Sequence, residues 1–132
     1  MAGSLILVDE FTTSSAVASV TIGGGSSGSS SYNFSIDSTY EVYQLVLEGV
    51  SSETDAKNLY MRVTKSGTAQ TDTEYDWGYK ALRTDTTYSN NGGNANTYFP
   101  VTNYSSGTAT SESVNGVMYL FGFGNNSERS YY

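Results

Sequence analysis

The chain has 132 residues, a formal net charge of −7 and neither His nor Cys. This length suits one hydrophobic core, so we predict a single domain over residues 1–132. Without Cys there are no disulfides or thiolate metal sites, and without His there are no imidazole-based triads or His metal clusters. The six cations are scattered and form no basic stripe, which argues against a nucleic-acid partner.

The composition favours strands joined by turns. Ser (21), Thr (16), Gly (14) and Tyr (12) are abundant, whereas there is one Pro. Charged residues make up 14% of the chain, below the usual value of roughly 25%. Aromatic residues also make up 14%, enough to build a core and to argue against disorder. The composition therefore predicts an all-β fold.

The N-terminal part of the chain is predicted to contain two strands. Residues 5–11 form an almost wholly apolar strand, and residues 16–22 alternate between two faces. The beginning of the chain lacks a positively charged region and its apolar run is short, so we expect neither a signal peptide nor a membrane span. Residues 23–31 are Gly and Ser only, which predicts a flexible loop.

The remaining apolar stretches complete a set of about eight strands. The segment 40–50 is apolar on both faces, which predicts a central strand covered on both sides, and we expect a turn at 51–57. Spacings of this kind favour a two-sheet antiparallel sandwich, jelly-roll-like in its topology. The other predicted elements are strands at 32–36, 59–64, 74–81 and 115–123, a short edge strand at 98–101 and a polar loop at 88–93.

Alternation with polar residues also predicts the core. Side chains of this size each stabilise the fold by roughly 1.5–3 kcal/mol when fully buried. The predicted core residues are Leu5, Leu7, Val20, Ile22, Leu45, Leu47, Leu59, Met61, Val63, Trp77, Tyr119 and Phe121.

Carboxylates are the main groups left for chemistry. Asp72, Glu74 and Asp76 stand at alternate positions, which predicts that they share one face of a strand. We interpret this face first as a solvated surface and second as a weak candidate for calcium, which prefers several oxygen ligands. Paired-carboxylate glycoside hydrolysis is a third interpretation. We predict no catalytic residues and no cofactor.

An aromatic row occupies the opposite positions. Tyr75, Trp77 and Tyr79 are interpreted first as the inner face of a sheet, where such rings bury a large area. The alternative is an exposed platform on which the sugar rings of a glycan stack. An exposed Trp77 would favour that alternative.

Three blocks of the sequence resemble a known group of proteins. They are GSLILVDEF at 3–11, SSAVASV at 14–20 and GVMYLF at 116–121. With strands corresponding at 40–50, 58–64 and 75–82, the chain resembles small structural proteins of marine tailed phages, usually labelled decoration, head-fibre or tail-fibre proteins. Members of that group run further and finish with another strand or two, which raises the question of how this chain closes its sandwich.

The resemblance implies a non-enzymatic virion protein on the particle exterior. A capsid decoration, cement or head-fibre subunit is the first interpretation, because the chain is small and has no heptad repeat. The alternatives are a tail-fibre or adsorption protein that meets host-surface glycans, and a free carbohydrate-binding module or glycan-degrading enzyme. No membrane partner is expected.

Such a subunit needs neighbours, so we predict a homo-oligomer, with a trimer favoured, and contacts with other virion proteins. An apolar first strand at a sheet edge invites pairing with another chain. The predicted interface residues are Leu5, Ile6, Val8, Tyr131 and Tyr132.

Overall fold

The computed structural model describes residues 5–25, 34–85 and 87–124, and these are mostly strands with almost no helix. The all-β prediction is confirmed. A 3-10 helix spans Thr110–Glu112, and across the described ranges no helix is long and apolar enough to cross a membrane. The strands are β1 Val42–Val50, β2 Tyr60–Met61, β3 Thr64–Lys65, β4 Thr68–Ala69, β5 Tyr75–Leu82, β6 Tyr88–Asn96, β7 Phe99–Pro100 and β8 Val114–Phe121.

The described strands pair as four antiparallel two-stranded ribbons, β1–β8, β2–β7, β3–β4 and β5–β6. The predicted short edge strand exists as β7, whose Pro100 lies opposite Tyr60. The ribbon β3–β4 was not predicted. It closes through Ser66 and Gly67, which both have positive φ (50° and 78°), as a two-residue hairpin turn requires.

The ribbon β1–β8 joins two distant parts of the sequence. Tyr43 lies opposite Leu120 and Leu45 opposite Met118. The register shifts between Leu47 and Val50, where Gly49 adopts a φ of 62° that side chains rarely tolerate. The Asn115 side chain accepts a hydrogen bond from the Gly49 N–H at 2.8 Å and so fixes the bulge.

The ribbon β5–β6 is a hairpin over much of the segment that we predicted to be a polar loop. That prediction is wrong because a strand can pair through its backbone alone. The Asn and Gly residues of β6 form backbone hydrogen bonds with β5, and these bonds need no apolar side chain. Two hydrogen bonds join the strand ends: the Thr87 N–H donates to Asp85 Oδ1 at 3.0 Å, and the Arg83 N–H donates to the Thr87 carbonyl at 3.2 Å.

The core is centred on one cross-strand pair. Tyr43 (7% exposed) and Leu120 (6% exposed) are the buried hydrophobic residues in the described ranges. The Phe34 and Tyr40 rings pack against Tyr43 at centroid distances of 5.9 and 5.7 Å. The Tyr43 hydroxyl donates to the Asp37 carbonyl at 2.8 Å. The Tyr43 ring is therefore packed among apolar groups while its hydroxyl still has a hydrogen-bond partner.

The predicted core is wrong for seven of its members. On β8 the buried face carries Met118 and Leu120, because Leu120 lies opposite Tyr43, so the alternate residues point outward. In 5–25 no strand is described, so the predicted core residues of that segment lie on no strand. Leu45, Leu47, Leu59, Met61 and Trp77 are half-buried, whereas Leu5, Leu7, Val20, Ile22, Val63, Tyr119 and Phe121 are exposed.

Strand β1 is covered on one face only, contrary to the prediction. Tyr43 is buried and Leu45 and Leu47 are half-buried, whereas Val42 (46%) and Val46 (58%) are exposed. The reason is that β1 belongs to a single two-stranded layer in the described part of the chain. A two-sheet sandwich is not seen there, and the predicted turn at 51–57 is present at residues 53–56.

Leu120→Ala should lower the free energy of unfolding by about 2–4 kcal/mol, because it removes buried methyl groups and leaves a cavity against Tyr43. Urea unfolding measures the change. Leu82→Ala is the matched control, because Leu82 is 85% exposed and should change stability by less than about 0.5 kcal/mol. Equal losses in the two variants would contradict the assignment of the core.

The turn that holds Tyr43 should also be sensitive to acid. Hydrogen bonds from the Thr39 side chain and from its N–H, which lies 2.8 Å from Asp37 Oδ1, hold the pKa of Asp37 below its usual 3.8. Its carboxylate therefore stabilises the fold above pH 3.8, and this contribution is lost as the pH falls through the lowered pKa.

Urea titrations of wild type and Asp37→Asn between about pH 5 and pH 2.5 test this expectation. The stability of the wild type relative to the variant should decrease as the pH is lowered, because only the wild type has a carboxylate at position 37 to be protonated. A difference that is independent of pH would contradict it.

Candidate functional site

The aromatic row of β5 lies on the half-buried face of the hairpin. Trp77 and Tyr79 are both half-buried, and their rings are nearly parallel, with centroids 5.9 Å apart and an interplanar angle of 7°. Tyr75 has a structural role instead. Its hydroxyl accepts from the Val63 N–H and donates to the Gln70 carbonyl, both at 3.0 Å, and so ties the β3–β4 hairpin to β5.

Glycines on β6 make room for the indole. Gly93 lies opposite Trp77, and a Cβ there would stand 2.8 Å from Cε2 and 2.9 Å from Cζ2 of the ring. At Gly92 a Cβ would stand 2.9 Å from the Trp77 carbonyl oxygen. The buried Nε1–H of Trp77 has no hydrogen-bond partner within the described residues. This donor is the kind of group that a polar ligand or water satisfies.

The opposite face of the hairpin is open. Gly78 and Gly92 form a cross-strand pair, and a shallow depression lies over them, bordered by Tyr79, Lys80 and Asn90. Backbone atoms form much of its floor, because the two glycines present no side chains.

The three predicted calcium candidates do not come together. Strand β5 begins at Tyr75, so of the trio only Asp76 lies on it, while Asp72 lies in the preceding bend. Asp76 Oδ1 accepts a hydrogen bond from the Ala95 N–H at 2.9 Å, where the register shifts. Among the described residues no group of three acidic side chains is placed to hold a metal ion.

The N-terminal segment lies beside β1, and most of its apolar side chains are exposed. Leu5, Ile6 and Leu7 are 84%, 61% and 69% exposed, and Val8 is half-buried. A cavity of about 440 Å³ separates this segment from β1 and is bordered by Val42 and Val46 among others. The other two predicted interface residues, Tyr131 and Tyr132, lie outside the described residues.

The outer face of the β1–β8 ribbon was missed by the sequence analysis. We use this name for the surface formed by Val42, Val46, Val117, Tyr119 and Phe121, which are 45–58% exposed. The Tyr119 and Phe121 rings lie 6.4 Å apart, and Gln44 Nε2 donates to the Tyr119 hydroxyl at 3.0 Å. The apolar residues on both faces of β1 were a signal for it, which we interpreted as coverage by a second layer.

Two polar clusters were also not predicted. Near buried Gly107 the carboxylates of Asp55 and Glu112 approach each other, and Glu112 Oε2 accepts from the Ala109 N–H at 3.1 Å. In the second cluster the Arg83 guanidinium lies 4.7 Å from the Tyr104 ring centroid. Hydrogen bonds with Ser89 and then Arg83 lower the pKa of the Tyr104 phenol. The second cluster links the loop at Tyr104 to the β5–β6 ribbon through Ser89.

Comparison with protein-family models, with curated proteins and with solved structures gives no match to this chain.

Gly93→Ala should displace the indole, because the new methyl group would overlap the ring. We expect the fluorescence of Trp77, the single Trp, to move to longer wavelength and stability to fall by about 1–3 kcal/mol. Gly116→Ala is the control, because no atom lies within 4 Å of a Cβ at that position. A Gly93→Ala spectrum identical to that of wild type would contradict the placement of Trp77.

Proposed function

We propose that this protein is a non-enzymatic structural subunit on the exterior of a tailed-phage particle, as a capsid decoration, cement or head-fibre protein. The observation that carries the proposal is the apolar outer face, whose Val42, Val46, Val117, Tyr119 and Phe121 side chains are 45–58% exposed. A subunit whose surface is completed by neighbours has this property, because contacts with those neighbours cover such a face.

The nature of the exposed surface supports a role in assembly. Among the described residues, 17 large hydrophobic side chains are at least 37% exposed, and several cluster on the outer face and the adjacent N-terminal segment. Contiguous apolar patches of this kind mark interaction sites on soluble proteins. We also propose that the ribbons belong to a two-sheet, jelly-roll-like sandwich.

The lack of catalytic machinery in the composition supports a non-enzymatic role. The chain has neither His nor Cys, which removes the commonest general base and the thiol nucleophile. The resemblance of three sequence blocks to marine phage structural proteins supports the location on a virion. The proposed partners are further copies of the chain and other virion proteins.

Immunogold electron microscopy of purified phage particles that encode this chain tests the proposal. An antibody against the folded domain should label intact particles, and the position of the gold distinguishes head from tail. Particles lacking the gene are the control. Labelling absent from intact wild-type particles, while the same antibody detects the free protein in infected-cell lysate, would contradict an exterior location.

A glycan-binding role, as a tail adsorption protein or carbohydrate-binding module, is the second candidate. The parallel rings of Trp77 and Tyr79 and the unsatisfied Nε1–H of Trp77 favour it. Tyr79→Ala should then abolish binding on an array of bacterial surface glycans, whereas Tyr88→Ala, which alters an exposed Tyr on β6, should not. No binding by wild type would contradict this second role.

A further inference from the structure

An asparagine followed by glycine occurs twice in the sequence, at Asn91–Gly92 on β6 and at Asn115–Gly116 on β8. At such a pair the backbone nitrogen of the glycine can attack the carboxamide of the asparagine, because glycine has no side chain to obstruct the approach. All four residues are exposed, so water reaches both pairs. The structure holds the two asparagine side chains in different ways.

The Asn91 side chain lies against the nitrogen that would attack it. The Gly92 N–H donates to Asn91 Oδ1 at 2.8 Å. A carbonyl bond is about 1.2 Å long, so the Gly92 nitrogen lies within about 4.0 Å of Asn91 Cγ. Reacting atoms that are already close to each other have less entropy to lose when the ring between them closes.

The Asn115 side chain is turned toward the opposite strand. Its Oδ1 accepts a hydrogen bond from the Gly49 N–H at 2.8 Å, at the bulge of the β1–β8 ribbon. Rotation of this carboxamide toward the Gly116 nitrogen would break a bond between two strands. The Asn91 carboxamide instead bonds to the next residue of its own strand. The two pairs therefore have the same sequence and different geometry.

We propose that Asn91 is a site of spontaneous modification, at which the folded chain converts asparagine into aspartate and isoaspartate. The Gly92 nitrogen forms a bond to Asn91 Cγ, the bond from Cγ to the side-chain nitrogen breaks, and ammonia leaves with the proton of the Gly92 N–H. The product is a succinimide ring. One water molecule then opens the ring at either carbonyl. The main chain continues through the original carbonyl carbon in aspartate and through Cγ in isoaspartate.

Isoaspartate at position 91 would alter the surroundings of Trp77. It adds one atom to the main chain of β6 immediately before Gly92, and Gly93, which lies opposite Trp77, comes next. The fit there is close, because a Cβ on Gly93 would stand 2.8 Å from Cε2 of the indole. A displacement of Gly93 therefore moves the ring or exposes it to water. Aspartate adds one negative charge but leaves the main chain unchanged.

Peptide mapping by mass spectrometry of the folded protein, incubated in mildly alkaline buffer, tests the site. Loss of the amide should be about tenfold faster at Asn91 than at Asn115, because only Asn91 bonds to its attacking nitrogen. Incubation in concentrated urea is the control: both asparagines precede glycine, so their rates should converge when the fold is lost. Equal rates in the folded protein, no loss at Asn91, or a ratio that urea leaves unchanged would overturn the proposal.

The fluorescence of Trp77, the single Trp, tests the consequence. Chains with isoaspartate at position 91, separated by chromatography after incubation, should emit at longer wavelength than fresh wild type. Asn91→Asp is the matched control, because it adds the same charge without lengthening the main chain, and it should keep the wild-type spectrum. Asn91→Gln should keep both its amide and its spectrum through the same incubation, because its ring closure requires a larger ring. Isoaspartyl chains with the wild-type spectrum would overturn the link to Trp77.

Discussion

The structure depends on the pairing of β1 with β8, and within that pairing on the contact between Tyr43 and Leu120. Among the described residues, these two are the hydrophobic side chains that are almost completely buried. The Tyr43 hydroxyl also reaches the backbone of Asp37, and a Cβ on Gly124 would collide with that same backbone. One buried tyrosine thus fixes the start of β1, the turn before it and the end of β8.

The β5–β6 hairpin is stabilised in a different manner, by the fit between one large ring and small neighbours. Asn and Gly residues on β6 leave the Trp77 indole room to lie close to the opposite strand. Tyr75 and the Arg83–Tyr104 pair then attach the hairpin to adjacent segments. The packing of the hairpin therefore depends on the absence of side chains at the glycines, whereas the β1–β8 ribbon depends on the burial of Tyr43 and Leu120.

Composition and alternation were sufficient to predict the all-β class, β1, β5, the edge strand at β7 and β8. They failed at β6, because a strand can form on backbone hydrogen bonds alone when its partner supplies them. They also failed to identify the buried face of β8. Both of its faces are apolar, and the face that is buried is the one that lies opposite Tyr43 on β1. The calcium candidates failed because Asp72 and Glu74 precede the strand on which their alternation depended.

Residues 51–113 lie between β1 and β8, so the two strands meet only after a long stretch of chain has been brought into place. Closing such a loop has an entropic cost that is not offset until the contact forms. The hairpins β3–β4 and β5–β6 join neighbouring segments and have a smaller cost. Folding should therefore proceed from the local hairpins to the distant pair, with a rate limited by topology rather than by hairpin formation. We therefore expect the ribbon that carries the outer face to form late, so that the chain presents that face only when its folding is nearly complete.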